Sequence, residues 1–152
     1  MLEKLERLAD ETRYLHSKLI LLVGPPRSGK TALLNALAKS RNAKPLNVGA
    51  ALGSRLSAIP QKQRHLQANT ILSDLADQHA SGDLLLVDNM ELLFDRALQL
   101  DALGLLKRHA HARRMVAVWP GELRDGRLTY ADMGHPEHQD YALEGLVSFE
   151  IQ

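Results

Sequence analysis

The sequence predicts a three-layer α/β fold, in which helices cover both faces of a mostly parallel five-stranded sheet. Short aliphatic runs alternate with segments of helical periodicity along a chain of 152 residues. Continuous apolar runs are typical of strands buried on both faces, and strands that alternate with helices form parallel sheets with right-handed crossovers. The length fits one ordinary domain, so we expect a single domain over residues 1–152.

The composition fits a folded chain without a strong charge bias. Hydrophobic residues make up 45% of the chain and aromatic residues only 4%, so aliphatic side chains must build the core. A formal net charge of +1 excludes an overall basic footprint for nucleic acid. The chain has no cysteine, which excludes disulfides and thiolate metal sites. No leader-like segment and no apolar run of about 20 residues is present, so we expect a cytoplasmic protein without membrane contact.

The first half of the chain predicts two helices and two strands before a third, long helix. Leu2, Leu5 and Leu8 recur at helical spacing, which predicts a leading amphipathic helix within residues 1–15. An aliphatic run that ends in glycine predicts the first strand, and leucines on one side of the next segment predict a helix. The predicted ranges are residues 19–23 (strand), 31–39 (helix), 45–48 (strand) and 61–80 (helix).

The second half predicts three more strands, one helix and a hairpin. Asp125-Gly126 is a turn signal that favours a hairpin joining residues near 122 to residues near 130. Residues 132–140 are expected to form a polar loop. Only strand-like segments follow the fourth strand, which leaves no room for a helical lid. The remaining predicted ranges are residues 84–87 (strand), 92–109 (helix), 115–119 (strand) and 146–151 (strand).

The segment GPPRSGKT, residues 24–31, fits the phosphate-binding pattern G-x-x-x-x-G-K-[ST] between a strand and a helix. Glycine permits the dihedral angles that turn backbone amides toward anionic oxygens, and the following helix directs its positive end to the same place. Lys30 would reach the β- and γ-phosphates of a nucleotide, and the Thr31 hydroxyl would bind Mg²⁺. The alternative is a glycine turn between a core strand and a core helix. The predicted cofactor-binding residues are Gly24, Pro25, Pro26, Arg27, Ser28, Gly29, Lys30, Thr31 and Ala32.

A second acidic element follows the third strand. The segment LLLVDNME brings Asp88 to the carboxyl end of that strand, where open α/β sheets bind ligands. This is a Walker B pattern, so Thr31 and Asp88 are the predicted Mg²⁺ ligands, with Asp88 acting through water. The alternative is a helix cap. Together the two motifs predict a P-loop NTPase core of the AAA+/RecA-like type.

The catalytic residues predicted from the sequence are Lys30, Asp88 and Glu91. Many ATPases place a glutamate directly after the Walker B aspartate to orient the attacking water, but this chain has Asn89 there. Glu91 and Glu122 are the candidates to replace it, although a surface residue is the simpler interpretation of either. The water-activating residue stays unassigned, and turnover could be slow. ATP is favoured over GTP because no NKxD-type segment and no DxxG switch occurs.

Other charged clusters leave several interpretations open. The basic run KRHAHARR, residues 107–114, could contact DNA. It could also offer Arg113 or Arg114 to a neighbouring subunit's ATP, or form a solvated helix end. His135 and His138 could hold zinc, but a solvated loop is the simpler interpretation.

Several segments together resemble BrxF, the small P-loop protein of the type 3 BREX bacteriophage-defence systems. These segments are ETRYLHSKLILLVGPPRSGKTALL, LLLVDNMELLF, VAVWPGEL and DGRLTYADMGHPEHQDY. The Walker motifs are generic, whereas the small size and the WPG and GHPE segments are specific. The resemblance implies a bacterial ATP-binding component that acts beside methyltransferase, helicase-like and other defence proteins. It places Gly24, Gly29, Lys30, Thr31 and Asp88 on the family's Walker positions.

Three functions are therefore open from the sequence. The first is an ATPase or ATP-gated switch within a defence complex, with other defence proteins and further copies of the same chain as its candidate partners. The second is a small-molecule or nucleotide kinase, for which Arg55 and Arg64 are the candidate lid arginines. The third is a non-hydrolysing nucleotide-dependent adaptor, or a subunit that contacts DNA.

Overall fold

Helices lie on both faces of a five-stranded parallel sheet, and a small antiparallel sheet follows it in the chain. The computed structural model describes residues 1–12, 18–131, 139–144 and 146–151. Its helices are α1 (Leu2–Glu11), α2 (Lys30–Ser40), α3 (Val48–Ser57), α4 (Arg64–His79) and α5 (Ala102–Ala112). Its strands are β1 (Leu19–Val23), β2 (Leu46–Asn47), β3 (Leu84–Asp88), β4 (Arg114–Val118), β5 (Glu122–Arg124), β6 (Arg127–Tyr130), β7 (Gln139–Tyr141) and β8 (Val147–Glu150).

The main sheet has the strand order β2-β3-β4-β1-β8, and every pair in it is parallel. Strand β4 lies between β1 and β3, with Leu21 opposite Ala117 and Leu86 opposite Val116. Because all five strands run the same way, their carboxyl ends meet at one edge of the sheet. The loop after β1 and Asp88 at the end of β3 therefore lie at the same edge, with one strand between them.

Alternate residues of the strands face two separate hydrophobic clusters, which confirms the predicted three layers. Ile20 and Leu22 pack in one cluster with Leu5 of α1 and Leu34 and Leu37 of α2. The opposite cluster joins the other strand residues to buried side chains of α3, α4 and α5. The continuous aliphatic runs are thus buried on both faces, as the sequence predicts.

The small sheet has the order β5-β6-β7 and is antiparallel. Its first two strands form the predicted hairpin, and the two turn residues Asp125 and Gly126 have φ values of 52° and 74°. Two positive φ values are what a two-residue turn between twisted strands requires. Strand β7 is not predicted by the sequence. Residues 132–138 of the predicted polar loop lie outside the described residues.

The small sheet is held against the main sheet by aromatic contacts. Trp119 follows β4, is completely buried, and donates from Nε1 to the carbonyl oxygen of Thr129 at 3.0 Å. Phe94 stacks on Tyr130 with ring centroids 3.8 Å apart, and Trp119 meets Tyr141 edge to face. Within residues 119–131, 139–144 and 146–151 the elements that follow β4 are strands.

The predicted helix over residues 92–109 is wrong in its first half. Two 3-10 turns, Glu91–Phe94 and Arg96–Leu98, precede α5, which begins only at Ala102. Asp101 accepts a hydrogen bond from the amide of Gly104, and Gln99 has a φ of 54°. These two residues stop one helical segment and cap the next, while the buried side chains on either side keep a helix-like spacing.

Helix α3 is missed by the sequence prediction, and its presence shortens the predicted strand over residues 45–48. The side chain of Asn47 caps the helix by accepting from the amide of Ala50 at 3.0 Å. The helix over residues 61–80 is confirmed except for its start, a 3-10 turn at Gln61–Gln63. The leading helix ends at Glu11, and residues 13–15 of its predicted range lie outside the described residues. In the described ranges, no helix has the length and apolar character needed to cross a membrane.

Candidate functional site

The loop of residues 24–29 joins the end of β1 directly to the first turn of α2. Gly29 has a φ of 96°, and no atom lies within 4 Å of the place where its Cβ would be. Glycine is therefore needed there for its backbone conformation, not for lack of space. Helix α2 starts at Lys30, and Leu33 donates to the carbonyl oxygen of Gly29 at 2.9 Å. The remaining amides of this first turn have no partner within the helix and form the kind of site that binds anions.

Gly24 is needed for a different reason, because two neighbours leave no space for a side chain. A Cβ at Gly24 would lie 2.7 Å from the Ser28 hydroxyl and 2.9 Å from the carbonyl oxygen of Ile151. The loop therefore closes on itself and against the residue that follows β8. Both fixed glycines of the pattern are explained by the local structure.

The Ser28 hydroxyl is buried and has no hydrogen-bond partner. Among the described residues it is the one buried side-chain nitrogen or oxygen atom for which this holds. Leaving such a group unsatisfied costs about 1–3 kcal/mol, and native proteins rarely do so without a ligand or a bound water. Its position inside the loop fits an anionic oxygen as the missing partner.

Lys30 extends across the loop and bonds two main-chain oxygens. Its Nζ donates to the carbonyl oxygen of Gly24 at 3.0 Å and to that of Trp119 at 3.2 Å. Burial lowers the pKa of Lys30, while the nearby carboxylates of Glu91, Asp88 and Glu122 act in the opposite direction. The structure thus places a partly desolvated ammonium group within the field of three carboxylates and at the mouth of the loop.

Thr31 and Asp88 meet across the carboxyl edge of the sheet. The Thr31 hydroxyl donates to Oδ1 of Asp88 at 3.3 Å, and the same oxygen accepts from the amide of Asn89 at 2.7 Å. A hydroxyl beside a carboxylate offers two oxygen ligands suited to Mg²⁺. This ion takes few protein ligands and completes its coordination shell with phosphate oxygens and water. The described residues contain no cluster of three or more metal-ligating side chains. This pair therefore fits a metal that arrives with a phosphorylated ligand.

Asn89 is tied to the start of α3. Its Nδ2 donates to Oδ1 of Asn47 at 2.9 Å, and its carbonyl oxygen accepts from the amide of Gly49. A Cβ at Gly49 would lie 2.6 Å from that Nδ2, so glycine is required for this contact. The sequence alone does not indicate that Asn47 is part of the site. The signal it offers is an asparagine in helix-cap position after an apolar strand.

The two candidate glutamates both lie near Lys30. Glu91 begins a 3-10 turn and is exposed, and it opposes the pKa shift of Lys30 more strongly than the other carboxylates do. Glu122 begins β5 and is in contact with Arg124. The small sheet therefore overhangs the loop. A cavity of about 270 Å³ between them is lined by Pro26, Lys30, Pro120, Gly121, Glu122, Arg124, Thr129 and Ala131.

The two arginines that end the basic run 107–114 are engaged within the protein. Arg114 is only 4% exposed and donates to both carboxylate oxygens of Asp83, at 3.0 and 2.8 Å. It also donates to the carbonyl oxygen of Ala9 at 2.8 Å. Arg113 donates to the carbonyl oxygen of Ala76 and to Asp77. The predicted DNA contact is not supported, and this run lies where β4 begins, at the edge of the sheet opposite the loop.

The candidate lid arginines Arg55 and Arg64 make their contacts in the region of α3 and α4. Arg64 donates to the carbonyl oxygen of Ile59 at 3.1 Å, and Arg55 pairs with Asp74 at 3.7 Å. Arg55 of α3 is thus paired with α4, and Arg64 of α4 is bonded to the segment that joins the two helices. Arg27 is exposed with a φ of 62°. His135 and His138, the proposed zinc pair, lie outside the described residues.

Comparison with known proteins gives a likeness to a solved structure, but no match to a family model or a curated protein. Among solved structures it is similar to the structure of C. elegans PCH-2, with 17% sequence identity and a TM-score of 0.41. That likeness covers 98% of this chain and 40% of the other, so the chain spans less than half the length of that structure. A likeness of this strength does not show a family.

Proposed function

We propose that this chain binds ATP with Mg²⁺ at residues 24–31, the loop and the start of α2, and acts as an ATPase or an ATP-gated switch. The observation that carries the proposal is the meeting of Thr31 and Asp88 at 3.3 Å beside the first turn of α2. An amide-lined anion site and a hydroxyl-carboxylate pair at the same edge fit the two parts of a magnesium-bound triphosphate.

The polar groups of the loop and of the first turn of α2 have distinct roles in this proposal. The first-turn amides of α2 and the Ser28 hydroxyl hold phosphate oxygens, and Lys30 gives up its carbonyl partners to pair with the β- and γ-phosphates. Thr31 binds Mg²⁺ directly, and Asp88 holds it through water. The metal, when bound, neutralises charge on the transferred phosphoryl group. Glu91 and Glu122 are the candidates to orient an attacking water, because both act on Lys30 through their charge.

We further propose that the chain acts beside other proteins of a bacterial anti-phage complex of the BREX type. It is supported by the resemblance of the WPG and GHPE segments to BrxF. In the described residues after β4 no lid helix contributes to the site. A second copy of the chain or another defence protein would complete it, so we expect turnover to depend on such a partner.

One observation favours a second candidate, a nucleotide-dependent adaptor that does not hydrolyse ATP. The residue after Asp88 is an amide, and its Nδ2 is engaged with Asn47 at 2.9 Å. An amide side chain cannot take a proton from water. If neither Glu91 nor Glu122 serves as the base, the site binds nucleotide without cleaving it.

Calorimetric titration of the parent and of Lys30→Ala with ATP, with and without Mg²⁺, tests the proposal. We expect affinity to fall about 100-fold in Lys30→Ala, since charge-assisted phosphate contacts are lost. Lys39→Ala removes an exposed lysine from the same helix and should bind as the parent does. Equal affinity of Lys30→Ala and the parent would contradict the proposal. Phosphate release measured on the same samples then separates an ATPase from an adaptor.

A further inference from the structure

We propose that the cavity beside the start of the loop holds the nucleoside, and that Glu150 accepts a hydrogen bond from a ribose hydroxyl. This inference rests on the proposed function, because it names where the rest of the nucleotide lies. The cavity has a volume of about 390 Å³. Its lining residues are Val23, Gly24, Pro25, Glu122, Leu123, Glu150 and Ile151.

The strand order gives the direction of the bound nucleotide. Thr31 and Asp88 fix the metal-bearing end of the triphosphate on the β3 side of the loop. Strand β8 lies on the other side of β1, three strand spacings from β3, or about 14 Å. The ribose end must therefore leave the loop on the β8 side. The cavity opens there, and Gly24, the first residue of the loop, is part of its wall.

The cavity has the size and lining of a small-molecule site. Its volume lies within the range of ligand pockets, about 300–1,000 Å³. Val23, Pro25, Leu123 and Ile151 give it an apolar wall suited to a flat heterocycle. Its polar groups are mainly two carboxylates, and ligand pockets combine an apolar lining with a few such groups that set orientation.

Glu150 is better placed than Glu122 to bind a ligand. Glu122 is in contact with Arg124, whereas Glu150 makes no side-chain hydrogen bond or ion pair within the described part of the chain. An ionised carboxylate only accepts hydrogen bonds, and it repels phosphate. In a nucleotide held at the loop, the ribose hydroxyls are donors close to the α-phosphate. A carboxylate that binds a ribose hydroxyl is also how dinucleotide-binding folds hold their ligands.

The test compares four ligands on three proteins. The ligands are ATP, 2′-deoxy-ATP, 3′-deoxy-ATP and inorganic tripolyphosphate, each titrated with Mg²⁺ in a calorimeter. The proteins are the parent, Glu150→Ala, and the charge-matched control Glu11→Ala, which removes an exposed carboxylate of α1. Circular dichroism verifies that each variant is folded, and Glu150→Gln provides a second variant that keeps the size of the side chain.

We expect the parent to bind ATP about ten-fold more tightly than at least one deoxy analogue, as a charge-assisted hydrogen bond predicts. Glu150→Ala should lose that preference by weakening ATP while leaving the deoxy analogue and tripolyphosphate unweakened. Glu150→Gln should lose part of it, and Glu11→Ala should keep it.

Two results overturn the inference and leave the proposed function standing. In the first, Glu150→Ala tightens ATP and tripolyphosphate equally, so Glu150 is only a nearby negative charge. In the second, the ratio of ATP to deoxy-ATP affinity does not change. The proposed function fails separately, and the inference with it, if tripolyphosphate binding is the same in the parent and in Lys30→Ala.

Discussion

Two polar side chains, one in the loop and one at the start of α2, lie in surroundings that are unfavourable in the absence of a ligand. Ser28 buries a hydroxyl without a partner, and Lys30 extends a partly desolvated ammonium group to two carbonyl oxygens. Strain or unmet bonding of this kind is found at functional sites, where a ligand relieves it. Each of the two residues therefore carries a prediction.

Ser28→Ala should make the unliganded protein more stable and the nucleotide complex weaker. Removing the unpaired hydroxyl is expected to raise the free energy of unfolding by about 1 kcal/mol. The same change removes a donor to phosphate, so ATP affinity should fall. Urea unfolding and ATP titration measure the two effects, and Ser54→Ala, at an exposed position of α3, should change stability by less than about 0.5 kcal/mol. A Ser28→Ala protein less stable than the parent would show that the hydroxyl already has a partner.

Nucleotide binding should take up protons at alkaline pH because of Lys30. Burial lowers the pKa of Lys30 in the free protein, and a bound phosphate favours the charged form and raises that pKa again. ATP affinity should therefore fall as pH rises through the lowered pKa. Folding stability has the opposite dependence on pH. The free-energy cost of burying the charged lysine is present below the lowered pKa and disappears as the pH approaches the pKa of Lys30 in the unfolded chain.

Titrations with ATP in two alkaline buffers of different ionisation enthalpy measure this proton uptake. We expect positive uptake in the parent and in Lys39→Ala, whose substituted lysine is exposed. No uptake, or proton release, in the parent would contradict the predicted change at Lys30.

At the level of elements, the hairpin of β5 and β6 depends on the close approach of Gly121 to β6. A Cβ at Gly121 would lie 1.8 Å from the carbonyl oxygen of Thr129 and 2.9 Å from Nε1 of Trp119. Gly121→Ala must therefore move the hairpin and break the bond between Trp119 and Thr129. We expect a loss of about 2–3 kcal/mol in unfolding free energy and a change in the fluorescence of Trp119, the single tryptophan of the chain.

Gly126→Ala is the matched control for this change. Gly126 has a φ of 74° but no atom within 4 Å of the position of its Cβ. It should therefore cost about 1 kcal/mol through backbone strain alone and leave the surroundings of Trp119 unchanged. Equal effects of the two substitutions on fluorescence would argue against a hairpin docked on Trp119.

The elements that the sequence predicts correctly are those whose side chains alone carry the signal. Strands β1 and β4 are entirely buried aliphatic runs apart from Arg114, so their type follows from composition. Helix α3 was missed because Gly49 and Gly53 lower its helix propensity, and Gly49 is there to make room for Asn89. Strand β7 is short and polar. It forms by pairing with β6, so the local β-propensity of its residues does not indicate it.

The same division holds for the candidate site. Lys30, Thr31 and Asp88 could be placed because their spacing from glycines and from an apolar run has a physical cause. The contact of Lys30 with the carbonyl oxygen of Trp119 could not, because a main-chain oxygen carries no side-chain signal. The pairing of Asn89 with Asn47 joins the residue after β3 to the last residue of β2, and only the parallel register of the two strands brings them together.

For the whole molecule, the parallel sheet separates two charged regions. The loop, Asp88 and Asn47 lie where strands end, and Arg114 with Asp83 lies where strands begin. Arg114 links α1 to the sheet through Ala9 and Asp83, so its guanidinium group has a structural role within the protein. This arrangement concentrates the proposed chemistry at one edge, where the small sheet overhangs it.

The central claim is that a magnesium-bound triphosphate lies at residues 24–31, held by the loop and the start of α2. A crystal structure of the protein with Mg²⁺ and a non-hydrolysable ATP analogue tests it most directly. We expect phosphate oxygens within hydrogen-bond distance of the first-turn amides of α2 and of the Ser28 hydroxyl, with the metal between Thr31 and Asp88. Lys30 should have exchanged the carbonyl oxygen of Trp119 for phosphate. An analogue bound elsewhere, with Lys30 still on its two carbonyl oxygens, would contradict the claim.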